Sequence, residues 1–300
     1  MNDYFRLTAA GLVRDCPSSA QSRRTSRRVV HVLFGRVDQC LFDRGDSIPY
    51  NSGLLAGVFF TDFKITLRVA RHPARSGKAF SEFLLALEER MSVLDALFQA
   101  QREMDGSLGF RFACRVGMCG TCAMYVNKIP RLACSTLVKN LKTEIVTVEP
   151  LPHYPIIKDV AVSLAPFFAQ WRRAQSAFRP RNRDSQTLAL IGKHSRFRQL
   201  APTKRDCITC GACYAACSIA GMNAEYLGPA AINRAFLRIL DPRDAAGADR
   251  LKILDRNLDG VWRCHTQFSC TAVCPRGIDL TDSILRIKRA LIQPRRLLAV

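Results

Sequence analysis

From Lys64 onward the chain alternates: Ile65, Leu67 and Val69 stand between polar neighbours, the period of two expected of a strand with one buried face. Residues 79–87 supply a hairpin partner. The period then becomes helical, with Val93, Leu94, Leu97, Phe98 and Met104 recurring at near-helical spacing behind Ser92. Ser92 stands where a helix cap belongs, and Asp95 three residues on approximates a capping box. Residues 123–126 and 129–133 read as strands around Asn127 and Lys128, and 144–148 is another β-rich stretch. Pro150, Pro152 and Pro155 then make a boundary. Beyond it strand signals vanish. Residues 156–173, 229–240 and 283–292 read as helices, the second with Pro229 at its first position. The pattern predicts an α+β chain: strands wrapped on one helix over residues 62–152, then an all-α domain over 153–300.

Residues 1–61 follow neither period. They hold eight Arg, five Asp and no Lys, with Arg23, Arg24, Arg27 and Arg28 clustered, and are expected to be an extension outside the folded part. An organellar transit segment, a start codon assigned too early and a floppy tail all fit that composition.

Charge changes the picture less than it first promises. The net formal charge of the 300 residues is +20, and residues 171–205 carry ten Lys or Arg against Asp184 alone. A solvated basic face, a phospholipid surface and an acidic partner subunit fit equally well. No recognition motif accompanies the charge, so no nucleic-acid partner is expected. The best apolar run, 161–169, is short and broken by Ser163 and Pro166, well under the roughly 18 residues that span a bilayer. If the protein works at a membrane, another subunit anchors it.

The cysteines carry the chemistry. Eleven of the thirteen fall into three runs, spaced C-x4-C-x2-C-x11-C, C-x2-C-x2-C-x3-C and C-x5-C-x3-C-P. Thiols so clustered in a chain of this length point to metal ligation rather than a disulfide framework, and so to a reducing compartment. In the first run Cys114, Cys119 and Cys122 share a loop and Cys134 arrives from a later strand, enough thiolates for one [2Fe-2S] cluster. Gly117 and Gly120 permit a tight loop and close approach of backbone N–H groups. A zinc site and buried free thiols are the rival readings. This run makes the first domain a β-grasp, plant-type ferredoxin-like unit.

The second run, Cys207, Cys210, Cys213 and Cys217, has the form in which the fourth cysteine serves the other cluster of a two-cluster ferredoxin. Its partner is the third run, Cys264, Cys270 and Cys274, where Gln267 stands in place of a middle cysteine. Crossing the fourth cysteines groups Cys207, Cys210, Cys213 and Cys274 around a [4Fe-4S] cluster. Cys217, Cys264 and Cys270 remain, three ligands that suit [3Fe-4S]; a [4Fe-4S] cluster with a non-cysteine ligand is the alternative. The helical half is thus expected to be bacterial-ferredoxin-like. Cys16 and Cys40, in the extension, are not needed.

With these sets assembled, the chain from about residue 62 to 292 resembles the iron-sulfur subunit of succinate dehydrogenase and fumarate reductase. The resemblance rests on CRVGMCGTCAMYVNKIPRLAC (114–134), LPHYPIIKDV (151–160), CITCGACYAAC (207–217), GPAAI (228–232) and RCHTQFSCTAVCPRGID (263–279). It implies a flavoprotein partner carrying FAD, membrane anchor subunits, and electrons running from FAD through the three clusters to quinone. Succinate chemistry would belong to the flavoprotein, so no catalytic acid or base is expected in this chain. The implied working direction is succinate:quinone oxidoreduction, with quinol:fumarate reduction as the alternative. The implied location is peripheral, on the cytoplasmic face of the bacterial inner membrane or the matrix face of the mitochondrial one. The family's quinone pocket takes residues beside the [3Fe-4S] ligands, which makes His265, Thr266 and Ser218 its candidates. Ser218 replaces the usual proline and residues 219–223 lack the tryptophan of many succinate dehydrogenases; this stretch is more similar to fumarate reductases.

Overall fold

Lys64–Arg75 (β1) and Lys78–Ala86 (β2) pair antiparallel, Leu67 opposite Phe83, so the alternating apolar positions share one face. The computed structural model describes residues 64–75, 78–181 and 190–293, all within one compact unit. The extension over 1–61, with Cys16 and Cys40, lies outside the described residues. Strands Ala123–Val126 (β3), Ile129–Leu132 (β4) and Ile145–Glu149 (β5) complete a sheet of order β2-β1-β5-β3-β4, in which β1 and β5 run parallel and every other pair antiparallel. Leu67 and Val146, both fully buried, sit side by side across the parallel pair.

Helix α1, Val93–Glu103, buries Val93, Leu94, Ala96, Leu97, Phe98 and Ala100 in the same core as the sheet. Its start is the capping box expected at Ser92: Ser92 Oγ accepts from Asp95 N, and Ser92 N donates to Asp95 Oδ2, each at 3.1 Å. Two otherwise orphaned donors are satisfied there.

The stretch predicted as a helix over 156–173 is corrected in its first half. Ile156–Lys158 (β6) and Ala161–Val162 (β7) form a small hairpin, and helix α2 begins only at Ala165, ending at Arg173. Asp159 is the cause. It turns at φ +49°, and its buried carboxylate accepts from Arg71 Nε at 3.0 Å, Gly109 N at 2.7 Å and His72 N at 3.1 Å. Those tertiary bonds reverse the chain before a helix can start.

Beyond α2 come α3 (Arg196–Leu200), α4 (Ala212–Ala215), α5 (Ser218–Met222), α6 (Pro229–Leu240), α7 (Gly247–Leu254), α8 (Ser269–Ala272) and α9 (Leu280–Ile292). Pro229 opens α6 as expected, where its missing N–H costs nothing. Helix α9 starts three residues before its predicted 283, because Asp279 caps it by accepting from Asp282 N at 2.9 Å. Ile232, Ala235 and Phe236 of α6 share a core with Ile284 and Ile287 of α9. Among the described residues no helix is long and apolar enough to cross a membrane.

Candidate metal centres

The first cysteine loop, between α1 and β3, is bent by three left-handed residues, Arg115, Gly117 and Gly120. Bending brings backbone donors onto sulfur: Met118 N and Cys119 N both donate to Cys114 Sγ at 3.3 Å. Cys122 lies buried at the start of β3, and Ala133 N bonds its carbonyl at 3.0 Å, which holds Cys134 beside the loop. Burial pushes the Cys122 thiol up to about 12, with Cys134 and Cys119 adding to the rise. Cys119 is exposed, and hydrogen bonds from Thr121 and Cys114 hold it down at about 6. Val116 and Met118 project from the loop into solvent, both 68% exposed.

In the helical half, Cys207, Cys210, Cys213 and Cys274 line one cavity with Phe167 and Ile278. Cys217, Cys264 and Cys270 line another, with His265, Thr266, Gln267 and Tyr226. The walls therefore group the thiols across sequence order. Short helices do the positioning: α4 carries Cys213, α5 follows Cys217, and α8 carries Cys270. Each is too short for its period to show in sequence. Burial pushes Cys207, Cys210 and Cys213 up, Cys210 to about 11. Helix α4, which carries Cys213, packs against α8, which carries Cys270, so the two cavities adjoin. Coordinated metal reverses such penalties, because a ligating thiol is deprotonated outright. Cys274 Sγ accepts from Ile278 N and Cys264 Sγ from Thr266 N, both at 3.4 Å, and Thr281 Oγ1 lies 3.7 Å from Cys270 Sγ.

Of the three quinone-pocket candidates, His265 and Thr266 line the three-thiol cavity, His265 on its exposed rim. Ser218 opens α5, also exposed, and its hydroxyl donates to Gln267 Oε1 at 2.7 Å. Sequence reasoning missed Tyr226, Thr281 and Lys288, whose Nζ donates to the Cys264 carbonyl at 2.7 Å. Nothing local marks them: Tyr226 and Thr281 line the cavity from other segments, and Lys288 of α9 reaches the backbone of its ligand Cys264.

Tyr154 of the LPHYP segment is a second structural link. Its buried hydroxyl donates to Gly211 O at 3.1 Å and its ring lies 5.3 Å from that of Tyr214. Gly211 sits at φ +80°, and a Cβ there would lie 2.7 Å from the Tyr154 hydroxyl, so glycine is required. The basic run is partly internal. Arg173 pairs with Asp259 at 2.7 Å, Arg181 bonds the Asp244 carbonyl at 3.2 Å, and buried Lys204 meets Asp282 at 2.7 Å. These side chains hold the helices together rather than face a partner.

Among the described residues no three His, Cys, Asp or Glu converge as the shell of a single metal ion. The seven thiols of the helical half line two cavity walls, an arrangement that suits multi-iron clusters.

Comparison with known proteins agrees with the fold. Residues 66–169 match the model of a 2Fe-2S iron-sulfur cluster binding domain, and 204–278 that of a 4Fe-4S dicluster domain. The fumarate reductase iron-sulfur subunit of Mycobacterium tuberculosis (strain CDC 1551 / Oshkosh) is 32% identical over 231 residues, 75% of this chain and 92% of that protein. A mitochondrial succinate dehydrogenase [ubiquinone] iron-sulfur subunit 2 of Oryza sativa subsp. japonica is 33% identical over 197 residues, 65% of this chain and 63% of that one. A chain of the Mycobacterium smegmatis Sdh1 complex in the apo form superposes with a TM-score of 0.70 at 25% identity, covering 78% of this chain and 98% of its own. The β-grasp sheet, the two helical cavities and these relatives agree, and the chain belongs to the iron-sulfur subunits of succinate dehydrogenase and fumarate reductase.

Proposed function

We propose that this chain conducts electrons between the FAD of a partner flavoprotein and a quinone, with Cys114, Cys119, Cys122 and Cys134 holding [2Fe-2S], Cys207, Cys210, Cys213 and Cys274 holding [4Fe-4S], and Cys217, Cys264 and Cys270 holding [3Fe-4S]. Iron-sulfur clusters supply one-electron redox chemistry when bound. The observation that carries the reading is the crossed division of thiols between two adjoining cavities, Cys274 with the second run and Cys217 with the third.

The chain's own groups tune and insulate. Backbone donors at Met118, Cys119, Thr266 and Ile278 aim at ligand sulfur, which favours the more reduced, more negative state. Phe167, Ile278 and Leu280 keep water from the four-thiol cavity. His265, on the rim of the three-thiol cavity, is placed to hydrogen-bond a quinone oxygen, with Thr266 and Ser218 beside it. Succinate or fumarate chemistry belongs to the flavoprotein. Membrane anchor subunits carry the complex on the cytoplasmic face of a bacterial inner membrane or the matrix face of a mitochondrial one.

Gentle detergent extraction tests the assembly. The chain is expected to co-purify with an FAD-containing subunit and anchor subunits, and to show electron paramagnetic resonance signals of all three cluster types. A chain that runs alone, colourless and zinc-loaded, sinks the reading. The reverse direction, quinol:fumarate reduction, is favoured by Ser218 in place of proline and by the name of the mycobacterial relative. A three-iron midpoint well below that of a low-potential quinone supports it over succinate oxidation.

A further inference from the structure

Gln267 occupies the sequence position of the missing middle thiol, and its side chain lines the cavity of Cys217, Cys264 and Cys270. It is held there. Ser218 Oγ donates to Gln267 Oε1 at 2.7 Å, tying the first residue of α5 to a loop 49 positions away. On both sides of Gln267 the backbone is left-handed, with Thr266 at φ +59° and Phe268 at φ +60°. Residues with side chains adopt that conformation only where surroundings impose it, and such strain gathers at functional sites.

We propose that the Ser218–Gln267 pair keeps this site at three irons, by tying up the carboxamide oxygen that would otherwise complete a fourth corner. The inference rests on the three-iron reading of these thiols given above. The step it prevents is balanced as written: a one-electron-reduced [3Fe-4S]⁰ cluster plus one Fe²⁺ gives [4Fe-4S]²⁺, with no further electron. The added iron needs a ligand that the three cysteines do not supply. Oxygen donors, carboxylate above all, serve iron in that role. In this chain the Gln267 carboxamide oxygen already accepts from the Ser218 hydroxyl. The pair therefore acts as a specificity element for cluster type, in place of the apolar exclusion that a hydrocarbon side chain would provide.

The test compares the wild-type complex with Ser218→Ala, Gln267→Glu and Gln267→Leu. Each is reduced with dithionite, incubated anaerobically with ferrous ion, chelated and re-oxidised, and the oxidised three-iron resonance is integrated with Mössbauer iron typing alongside. The [2Fe-2S] absorbance confirms that each variant is folded. Wild type and Gln267→Leu are expected to keep the three-iron signal, Ser218→Ala to lose part of it, and Gln267→Glu to lose most. Equal retention in wild type, Ser218→Ala and Gln267→Glu overturns the proposal while leaving the three-iron site intact. So does a Gln267→Leu protein that takes up iron as fast as Gln267→Glu. A wild-type complex with no three-iron signal at all overturns the ligand reading itself, and this inference with it.

Discussion

Gly120 of the first cysteine loop lies against Cys210 of the four-thiol cavity: a Cβ on Gly120 would stand 2.7 Å from Cys210 Cβ and 2.9 Å from both Cys210 Cα and the Ile208 carbonyl oxygen. Gly120 and Cys210, ninety positions apart in sequence, thus pack at backbone distance. Gly120→Ala must push the loops apart, and at φ +76° it also strains the backbone. Overpacking of this kind costs about 1–3 kcal/mol. The expected result is a lowered denaturation midpoint together with slower reduction of the [4Fe-4S] cluster, read by rapid-freeze resonance after the [2Fe-2S] cluster is reduced.

The crossed ligand sets proposed above make opposite demands on two cysteines. Cys217→Ser is expected to abolish the three-iron signal and leave the four-iron one, although Cys217 belongs in sequence to the four-iron run. Cys274→Ser is expected to do the reverse. Grouping by sequence order predicts the opposite outcome for each, so the two spectra decide between them.

Arg71 is a buried cation on β1 that holds Asp159 at 3.0 Å, Asp105 at 2.6 Å and Ser107 at 2.8 Å. It ties the sheet to the turn that leads into the helical half. Removing Arg71 strands the buried Asp159 carboxylate, and breaking such a buried pair costs about 3–5 kcal/mol. Arg71→Ala is expected to lower the unfolding free energy from chemical denaturation by that order, and to do so far more than Lys128→Ala, whose exposed pair with Glu149 contributes little.

Acid should loosen the helical half in a defined window. Asp244 sits below its ordinary 3.8 despite burial, because Arg250 and the Ala246 and Arg179 amides bond its carboxylate. Asp282 is also lowered, by Arg286 and Lys204. A depressed carboxylate contributes stability that is present above its unfolded value and lost as pH falls through the folded one. Stability is therefore expected to hold from neutral pH down to about 4 and to fall below it. Asp244→Asn should weaken the protein at neutral pH and flatten that acid limb, measured by urea titrations carried from neutral pH to well below the ordinary carboxylate range.

Much of the sheet was readable in advance, because a half-buried strand repeats every two residues and Leu67, Val126 and Val146 keep that beat. The cap at Ser92 and the start of α6 at Pro229 were readable for the same reason: their causes lie within four residues. The hairpin of β6 and β7 was not, since Ile156 and Ile157 stand in a sequence that fits a helix and only the distant Arg71, His72 and Gly109, bonding Asp159, reverse the chain. Helices α4, α5 and α8 escaped detection because four or five residues do not complete a recognisable period.

Thiol spacing by itself pointed to cluster ligation and left a zinc site as the rival, and the matches to 2Fe-2S and 4Fe-4S domains decide for iron-sulfur. It also showed Gln267 standing where a middle cysteine of the third run would complete the pattern. Which cavity each thiol faces, the contact of Gly120 with Cys210 and the hold of Ser218 on Gln267 were decided by tertiary structure alone. The physical reason is range: hydrogen bonds and steric contacts act over a few ångströms, and only the folded chain brings residues dozens of positions apart to that distance.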